Sequence, residues 1–504
     1  MQIANKLERL GAMCKYGFVG LLGAGALCSA QSDEPAISPT HAQRIHAANI
    51  AAGDTATVKP RPEGSIYMGG YCAPKIEKVR VAVIGLGERG APQTRHFASI
   101  PNCEVVAVCD VYGDSVAKTA DFLEKKTGKR PAEYSGDSKA YLKMLEEVKP
   151  DAVFINTSWE THAQMAIDSM EHGAHAFVEV PLAVTIEDLW RVVDTSEKTK
   201  MHCMMLENVN YGREELMFLN MVRKGLIGEL LHGEAAYIHE LRMQMKSVER
   251  GCGSWRTYHY AGRNGNLYPT HGLGPVAQYM NIARGEDTFD RIVSFSSPAK
   301  GRAAYAKKNF PEDHKWNNME FLCGDISNSI IKTKAGRTIL VQWDETSPRP
   351  YDRKNLIQGT EGTLAGFPLR VAGERISPGA DSDLTEGQPG GAEIVHNGGY
   401  HEWFEGEQAE KVLYDKYDHP LYKRLGEAAK KNGGHGGMDY IMLYRAIECL
   451  HKGEPLDQNV YEGALWSAVS PLSEKSVNEG GMPQEFPDFT RGDWKNTAPL
   501  PIVE

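Results

Sequence analysis

The chain has 504 residues, 41% of them apolar and 24% charged, which is enough apolar material for two or three cored domains and excludes a disordered protein. The 66 acidic residues outnumber the 56 basic ones, for a net charge of −10, so no basic excess exists to displace counterions from phosphate and nucleic acid is disfavoured as a partner. Nine cysteines without a CxxC pair and 17 histidines without an HExxH spacing argue against a disulfide scaffold and against zinc, and no metal is expected.

At the N-terminus Lys6, Arg9 and Lys15 precede the uncharged run Tyr16 to Ala30 (YGFVGLLGAGALCSA). That run is too short to span a bilayer of ~30 Å as a helix. A basic start, a short apolar run and the small residues Cys28, Ser29 and Ala30 read as an export signal over residues 1–30. The mature protein is then expected in the periplasm or outside the cell. Cys28 is an alternative point of lipid attachment, although Leu27 before it suits that signal poorly, and a buried N-terminal helix is the competing reading. No twin arginine is present. Residues 31–77 are polar, rich in Pro and Gly and without periodicity, and read as a linker lying across the folded body. No later run is long enough for a transmembrane helix, so no membrane span is expected.

Residues 78–208 read as a nucleotide-binding domain. Val79 to Ile84 (VRVAVI) is a β-branched run suited to a buried parallel strand. It leads into Gly85-Leu-Gly87-Glu-Arg-Gly90, followed by a helix-compatible stretch from Gln93 to Ile100. A second strand, Glu104 to Cys109, ends at Asp110, 20 residues after Gly90. This is the dinucleotide fingerprint: Gly85 makes the tight turn, Gly87 lets a pyrophosphate approach the backbone, and Gly90 lets the helix pack on the strand. Asp110 can accept from both adenosine ribose hydroxyls and would repel a 2′-phosphate, which favours NAD over NADP. The βα rhythm continues: helices over 114–126 and 138–147, strand 152–156, helix 160–172, strand 175–180, helix 186–198 and strand 202–206. Such alternation predicts a doubly wound parallel sheet with its crevice at the strand ends, where Asn156 to His162, Glu179-Val180-Pro181 and Asn208 lie.

Residues 209–504 change character. A helix is expected over 211–226, then strands at 231–239, 291–296, 327–333 and 338–343, the last two joined as a hairpin through Lys334-Ala-Gly-Arg337. Gln358 to Leu364 suggests a further strand corner, 370–400 a long surface loop, and 438–451 and 463–477 helices. The predicted fold class is α/β: an N-terminal doubly wound Rossmann sheet, plus a C-terminal α+β domain with an open, mostly antiparallel sheet whose helices can pack back on the first domain. An open sheet face of this kind allows a homo-oligomer.

The order strand, GxGxxG, acidic strand end, Asn156-Thr157 with His162, E-x-P at Glu179 to Pro181, then Gly225-Leu-Ile-Gly228 resembles the Gfo/Idh/MocA family of NAD(P)-dependent sugar oxidoreductases, over most of residues 78–475. Dehydrogenases of that family carry E-K-P, whose lysine polarises the reacting hydroxyl; here Val180 replaces it. The departure, together with Gly85-Leu-Gly-Glu-Arg-Gly90, Trp159-Glu-Thr-His162, Glu207-Asn-Val-Asn-Tyr-Gly212 and Tyr268-Pro-Thr-His271-Gly, resembles glycoside hydrolase family 109, bacterial NAD-dependent α-N-acetylgalactosaminidases. The resemblance implies that Glu88, Arg89, Asp110, Trp159 to His162, Glu179, Val180 and Asn208 hold NAD. It implies that Tyr237, Arg256, Tyr268, Pro269, Thr270, His271 and Tyr351 hold a glycoside with terminal N-acetylgalactosamine.

Most glycosidases flank the scissile bond with two carboxylates. The resemblance implies a redox-neutral route instead: oxidation at sugar C3, loss of the C2 proton and the C1 substituent, addition of water, and return of the hydride. That route needs a base near neutral pH, a histidine or a tyrosine of lowered pKa. His271 and Tyr268, three apart at a helix start, are the expected catalytic pair. Trp159 and Trp255 read equally as core or sugar-stacking aromatics. His435, in Gly433-Gly-His-Gly-Gly437, reads as closing over the sugar or as a plain loop. Two alternatives stand beside the hydrolase: an NAD-dependent sugar or polyol dehydrogenase, and a sugar-binding relative without turnover.

Overall fold

The computed structural model describes residues 38–377, 395–396, 399–400 and 402–503. The expected export signal, with Cys28, lies outside the described residues, as do positions 378–394 of the expected surface loop.

The first sheet has six parallel strands: β1 Val79–Ile84, β2 Cys103–Asp110, β3 Ala132–Ser135, β4 Ala152–Ile155, β5 His175–Val178 and β6 Cys203–Met205. Their order is β3-β2-β1-β4-β5-β6, the dinucleotide-binding arrangement in which the chain reverses direction between β1 and β4 and opens a crevice there. The central strands are buried on both faces: β4 and β5 have no exposed residue. That accounts for unbroken apolar runs where a one-sided sheet would alternate.

The second sheet has nine strands: β7 Leu230–Ile238, β8 Phe289–Ser296, β9 Ile326–Thr333, β10 Thr338–Asp344, β11 Leu356–Gly359, β12 Gly362–Ala365, β13 Arg370–Gly373, with the short β16 Phe404–Glu405 and β17 Gln484–Glu485 at its two edges. A separate two-stranded ladder joins β14 Val395–His396 to β15 Gly399–Tyr400. Pairings in the second sheet are antiparallel except that β10 runs parallel to β7. Strand β9 alternates buried and exposed residues along its length, the pattern of a sheet with one solvated face. Its inner face packs on the helix Thr270–Tyr279, where Gly272 lies so close to β7 that a Cβ would come 2.3 Å from the Ala236 nitrogen.

Three expectations need correction. Residues 31–77 are not a plain linker: Pro39–Ala51 is a helix, capped by the Ser38 hydroxyl, which accepts from the His41 N–H. Only Ala42, Ile45 and Asn49 of it are buried, a stripe too narrow to register as amphipathic. The helix docks because Gly262 leaves room for it; a Cβ there would come 2.6 Å from the Ala42 methyl. The stretch 463–477 is two helices, Val460–Ser467 and Val469–Asn478, which meet at Ala468. Part of the expected surface loop is strand β13. Among the described residues no helix is long and apolar enough to cross a membrane.

Candidate active site

The glycine turn after β1 is built for a ligand at one position and for close packing at the other two. Gly85 has φ +86°, and a Cβ there would come 2.5 Å from the Asn156 carbonyl; at Gly90 it would come 1.9 Å from the Gly85 carbonyl. At Gly87 it would meet nothing within 4 Å. The turn thus leaves open space before Gly87, where a phosphate must approach. The helix that follows, Gly90–His96, is short and continues as a 3-10 turn to Ser99. Asp110 accepts from the Leu86 N–H at 2.6 Å and the Tyr112 N–H at 2.9 Å, so it ties the turn to the end of β2. Each carboxylate oxygen keeps a second lone pair for a ribose hydroxyl. At the end of β4 both side-chain polar atoms of Asn156 are buried without a partner, as are Gln93 Oε1 and Asn208 Oδ1. Orphaned groups lining a crevice are what a polar ligand would satisfy, and the donor set fits NAD.

Arg89 and Asn208 meet on one carboxylate that their own region does not supply, and Arg89 holds Glu179 as well. Arg89 donates from Nε to Glu179 Oε1 at 2.8 Å, and from Nη1 and Nη2 to Asp439 at 2.8 and 3.0 Å. Asn208 Nδ2 donates to Asp439 Oδ1 at 2.7 Å. His435 Nδ1 lies 2.8 Å from Asp439 Oδ2 and 3.1 Å from Arg89 Nη1, so the Gly433–Gly437 loop reaches the glycine turn. Burial disfavours the charged form of Arg89, but Glu179 and Asp439 outweigh it and the net shift is upward. Val180 is buried beside them. His162 is fully buried with Nδ1 2.7 Å from the Pro181 carbonyl and Nε2 3.1 Å from the Thr157 carbonyl. Both ring nitrogens face backbone carbonyls, and a neutral ring can donate to only one of them; His162 forms part of the crevice wall. Glu88 turns towards the second half, where Cys252 is hydrogen-bonded to it.

On the second half, Tyr268 precedes Pro269, the N-cap of the helix Thr270–Tyr279. Proline biases the residue before it towards extended geometry, which turns Tyr268 away from the helix and back across the crevice. Its ring stacks on Trp159, with centroids 5.6 Å apart and planes 27° apart. Arg256 sits 5.1 to 5.3 Å from the ring centroids of Trp159, Trp255 and Tyr268, and its Nε is buried without a partner. The hydroxyl of Thr270 is likewise buried and unpaired. His271 Nδ1 lies 2.7 Å from Glu207 Oε1. Tyr237 is 5.0 Å from Tyr268, 5.1 Å from His271 and 6.1 Å from Tyr351. Its hydroxyl meets His239 Nδ1 at 2.9 Å, while Arg353 donates to the Tyr351 hydroxyl at 2.9 Å. The structure thus brings Tyr237, Tyr268, His271 and Tyr351 into one cluster against Trp159 of the nucleotide half.

One chemical expectation is overturned. Burial pushes the Tyr268 phenol well above its usual pKa, and that of Tyr237 as well. Tyr268 is a protonated donor at neutral pH, and of the expected pair only His271 offers a base. Three residues escaped the sequence reading: Glu207, His239 and Asp439. Glu207 stood in view in the Glu207-Asn208 strand end. His239 shares a strand parity with Tyr237, but nothing in its neighbourhood marked it. Asp439 opens a distant helix and carried no signal. A cavity of about 370 Å³ lies elsewhere, between β12 and β13 beside Glu361, Glu374 and Trp403; no expected site residue lines it.

Comparison with known proteins then separates the hydrolase from the dehydrogenase. Residues 79–207 match the family model described as "Oxidoreductase family, NAD-binding Rossmann fold", and residues 211–496 match "Glycosyl hydrolase 109, C-terminal domain". The chain belongs to glycoside hydrolase family 109. It is a glycoside hydrolase whose cofactor is NAD. Among family 109 relatives, "Glycosyl hydrolase family 109 protein 1" of Akkermansia muciniphila is 61% identical over 96% of both chains. The "Alpha-N-acetylgalactosaminidase" of Shewanella oneidensis is 53% identical over 90% of this chain and 95% of its own length. Levoglucosan dehydrogenase, solved with NADH and levoglucosan, superposes with a TM-score of 0.59 at 17% identity, over 82% of this chain and all of its own. That likeness shows the two-sheet fold that family 109 shares with sugar dehydrogenases.

Proposed function

We propose that this protein hydrolyses glycosides of terminal α-linked N-acetylgalactosamine and keeps NAD bound through the cycle without consuming it. The observation that carries the proposal is the juxtaposition of the Glu207–His271 pair and the protonated Tyr268 with Trp159 of the nucleotide crevice, in a site where Val180 stands in place of a lysine. The 53% identity to the Shewanella oneidensis protein supports the choice of sugar. Gly85 to Gly90, Asp110, Asn156 and Asn208 would hold the dinucleotide. When bound, NAD supplies a hydride acceptor at the sugar C3 that later serves as the donor, so the overall reaction has no net redox change.

The chain's own side chains then have defined work. Glu207 accepts the proton-bearing Nδ1 of His271 and turns Nε2 towards the sugar, where it takes the proton from C2. Tyr268 and Arg256 donate hydrogen bonds to sugar oxygens and stabilise the charge that develops as that proton leaves. Trp159 and Trp255 exclude water from this face until the C1 substituent has left. The match of residues 211–496 to the family 109 C-terminal domain, together with the 53% identity to a named α-N-acetylgalactosaminidase, favours the hydrolase over a simple dehydrogenase. By the same reading residues 1–30 direct export, and N-terminal sequencing of the protein recovered from the periplasm or medium checks that.

Hydrolysis of an aryl α-N-acetylgalactosaminide in D₂O tests the chemistry. Deuterium at C2 of the released sugar is expected, because that proton exchanges while it is held on His271. Product without deuterium would refute the route. Steady accumulation of NADH during turnover would favour a dehydrogenase instead.

A further inference from the structure

The segment from Ser247 to Cys252 crosses from the second half of the chain onto the nucleotide-binding half. Arg250 lays its guanidinium 4.0 Å from the centre of the Tyr112 ring. It donates from Nη1 to Asp114 Oδ1 at 2.9 Å and from Nη2 to the Ser115 hydroxyl. These three residues follow directly on Asp110, the acidic end of β2. One position further on, Gly251 has φ +98°, and a Cβ there would come 2.7 Å from Glu88 Oε1. Cys252 is hydrogen-bonded to the same carboxylate. Three consecutive residues, Arg250 to Cys252, therefore touch both ends of the dinucleotide fingerprint: the glycine turn through Glu88, and the acidic strand end through Tyr112, Asp114 and Ser115.

We infer that residues 247–252 are a clasp closing over the bound dinucleotide, and that Arg250 is the residue that retains it. The inference rests on the reading above, in which NAD stays bound. A cofactor that is never exchanged during turnover needs a barrier to leaving, and a ligand lying from Gly87 to Asp110 cannot leave outwards while this segment is down. The contacts also suit a part that must open once for loading. The side chains of Arg250 and Asp114 are 41% and 50% exposed, and ion pairs in such positions are weak and screened by salt. A cation–π contact on Tyr112 adds a similar small increment. Gly251, in a backbone conformation that glycine adopts without cost, is the natural hinge.

The test uses the full-length enzyme and its Arg250→Met and Asp114→Asn variants, each loaded with NAD, freed of excess and mixed with an NAD-consuming coupling enzyme to follow release. Release about tenfold faster is expected from R250M, which loses the ion pair and the cation–π contact together, and a smaller acceleration of about two- to fivefold from D114N, which loses the ion pair alone. Release from the unaltered enzyme should accelerate with added salt, and release from R250M should not. The double variant should be no faster than R250M. Equal release from all proteins overturns the clasp. Circular dichroism checks folding, and if R250M is misfolded D114N decides the comparison. The dinucleotide content of the unaltered enzyme as isolated is a separate reading. Protein that arrives empty yet hydrolyses at full rate refutes the resident cofactor, while the ratio of release rates still judges the clasp.

Discussion

Glu207 Oε1 lies 2.7 Å from His271 Nδ1, and Glu207 is completely buried. One hidden carboxylate thus decides which edge of the imidazole meets the sugar. Replacing His271 with Ala is expected to lower kcat by about 10² to 10⁴, the usual range for a lost general base. Glu207→Gln should lower kcat by at least about tenfold while leaving KM nearly unchanged, because it removes orientation and not binding. Steady-state kinetics of both variants provide the check, and an E207Q enzyme with full kcat would remove Glu207 from the mechanism.

The glycine turn predicts two different failures from one substitution type. Gly90→Val drives a side chain into the Gly85 carbonyl, so the protein should be strongly destabilised or insoluble. Gly87→Val meets only open space, so the protein should fold and melt close to the unaltered protein stripped of NAD, but carry no dinucleotide. Thermal melts and the NAD content of purified protein separate the two. A G87V protein that retains NAD would show that the cofactor does not approach this turn.

Arg256 lies over three aromatic rings with its Nε unpaired. Lysine keeps the charge but loses the planar stacking and the fork of donors. Arg256→Lys is expected to raise KM for the aryl glycoside about tenfold or more. An unchanged KM would place Arg256 outside the sugar site.

Two buried histidines set a lower pH limit on stability. Burial pushes His175 down to about 4, and burial with the neighbouring His175 pushes His202 down to about 3. The His202 N–H donates to His175 Nδ1 at 3.0 Å, which requires the His175 ring to be neutral. Both folded pKa values lie below the unfolded value of about 6.5, so between them the unfolded chain binds more protons. Stability therefore falls as pH drops below about 6.5 and continues to fall towards pH 3 to 4. The loss is at most about 3 kcal/mol for His175 and about 5 kcal/mol for His202. In His202→Phe the drop in Tm between pH 7 and pH 4.5 should be smaller than in the unaltered protein. Equal drops would assign the acid sensitivity to other groups.

The parts of this molecule legible in the sequence are those whose partners are near in the chain or whose pattern repeats. The glycine turn, Asp110 and the run of β-strands with their helices follow from local spacing and apolar periodicity. Tyr268 and His271 share a four-residue motif. The pairs that orient the site are not local: His271 meets Glu207 across 64 residues, and Arg89 meets Asp439 across 350. No periodicity encodes such a meeting; it follows only once both sheets are folded. The raised pKa of Tyr268 is hidden from the sequence for a related reason. Its titration is set by burial against Trp159 and Tyr237, which the sequence does not place beside it. The helix Pro39–Ala51 was missed because three buried residues leave almost no amphipathic trace.

That small helix has a practical consequence. His46 and Asn49 both bind Glu474, at 2.7 and 2.9 Å. Glu474 in turn accepts from Arg263, whose guanidinium donates to His259, and His259 reaches Glu160 next to Trp159. A shortened gene product starting at residue 78, the first position of the nucleotide-binding half, would look complete by every motif. It would still leave Glu474 and Arg263 facing a void at the far end of the hydrogen-bond chain that leads to Glu160, and anyone trimming this enzyme for crystallisation or engineering should keep everything from Ser38 onward.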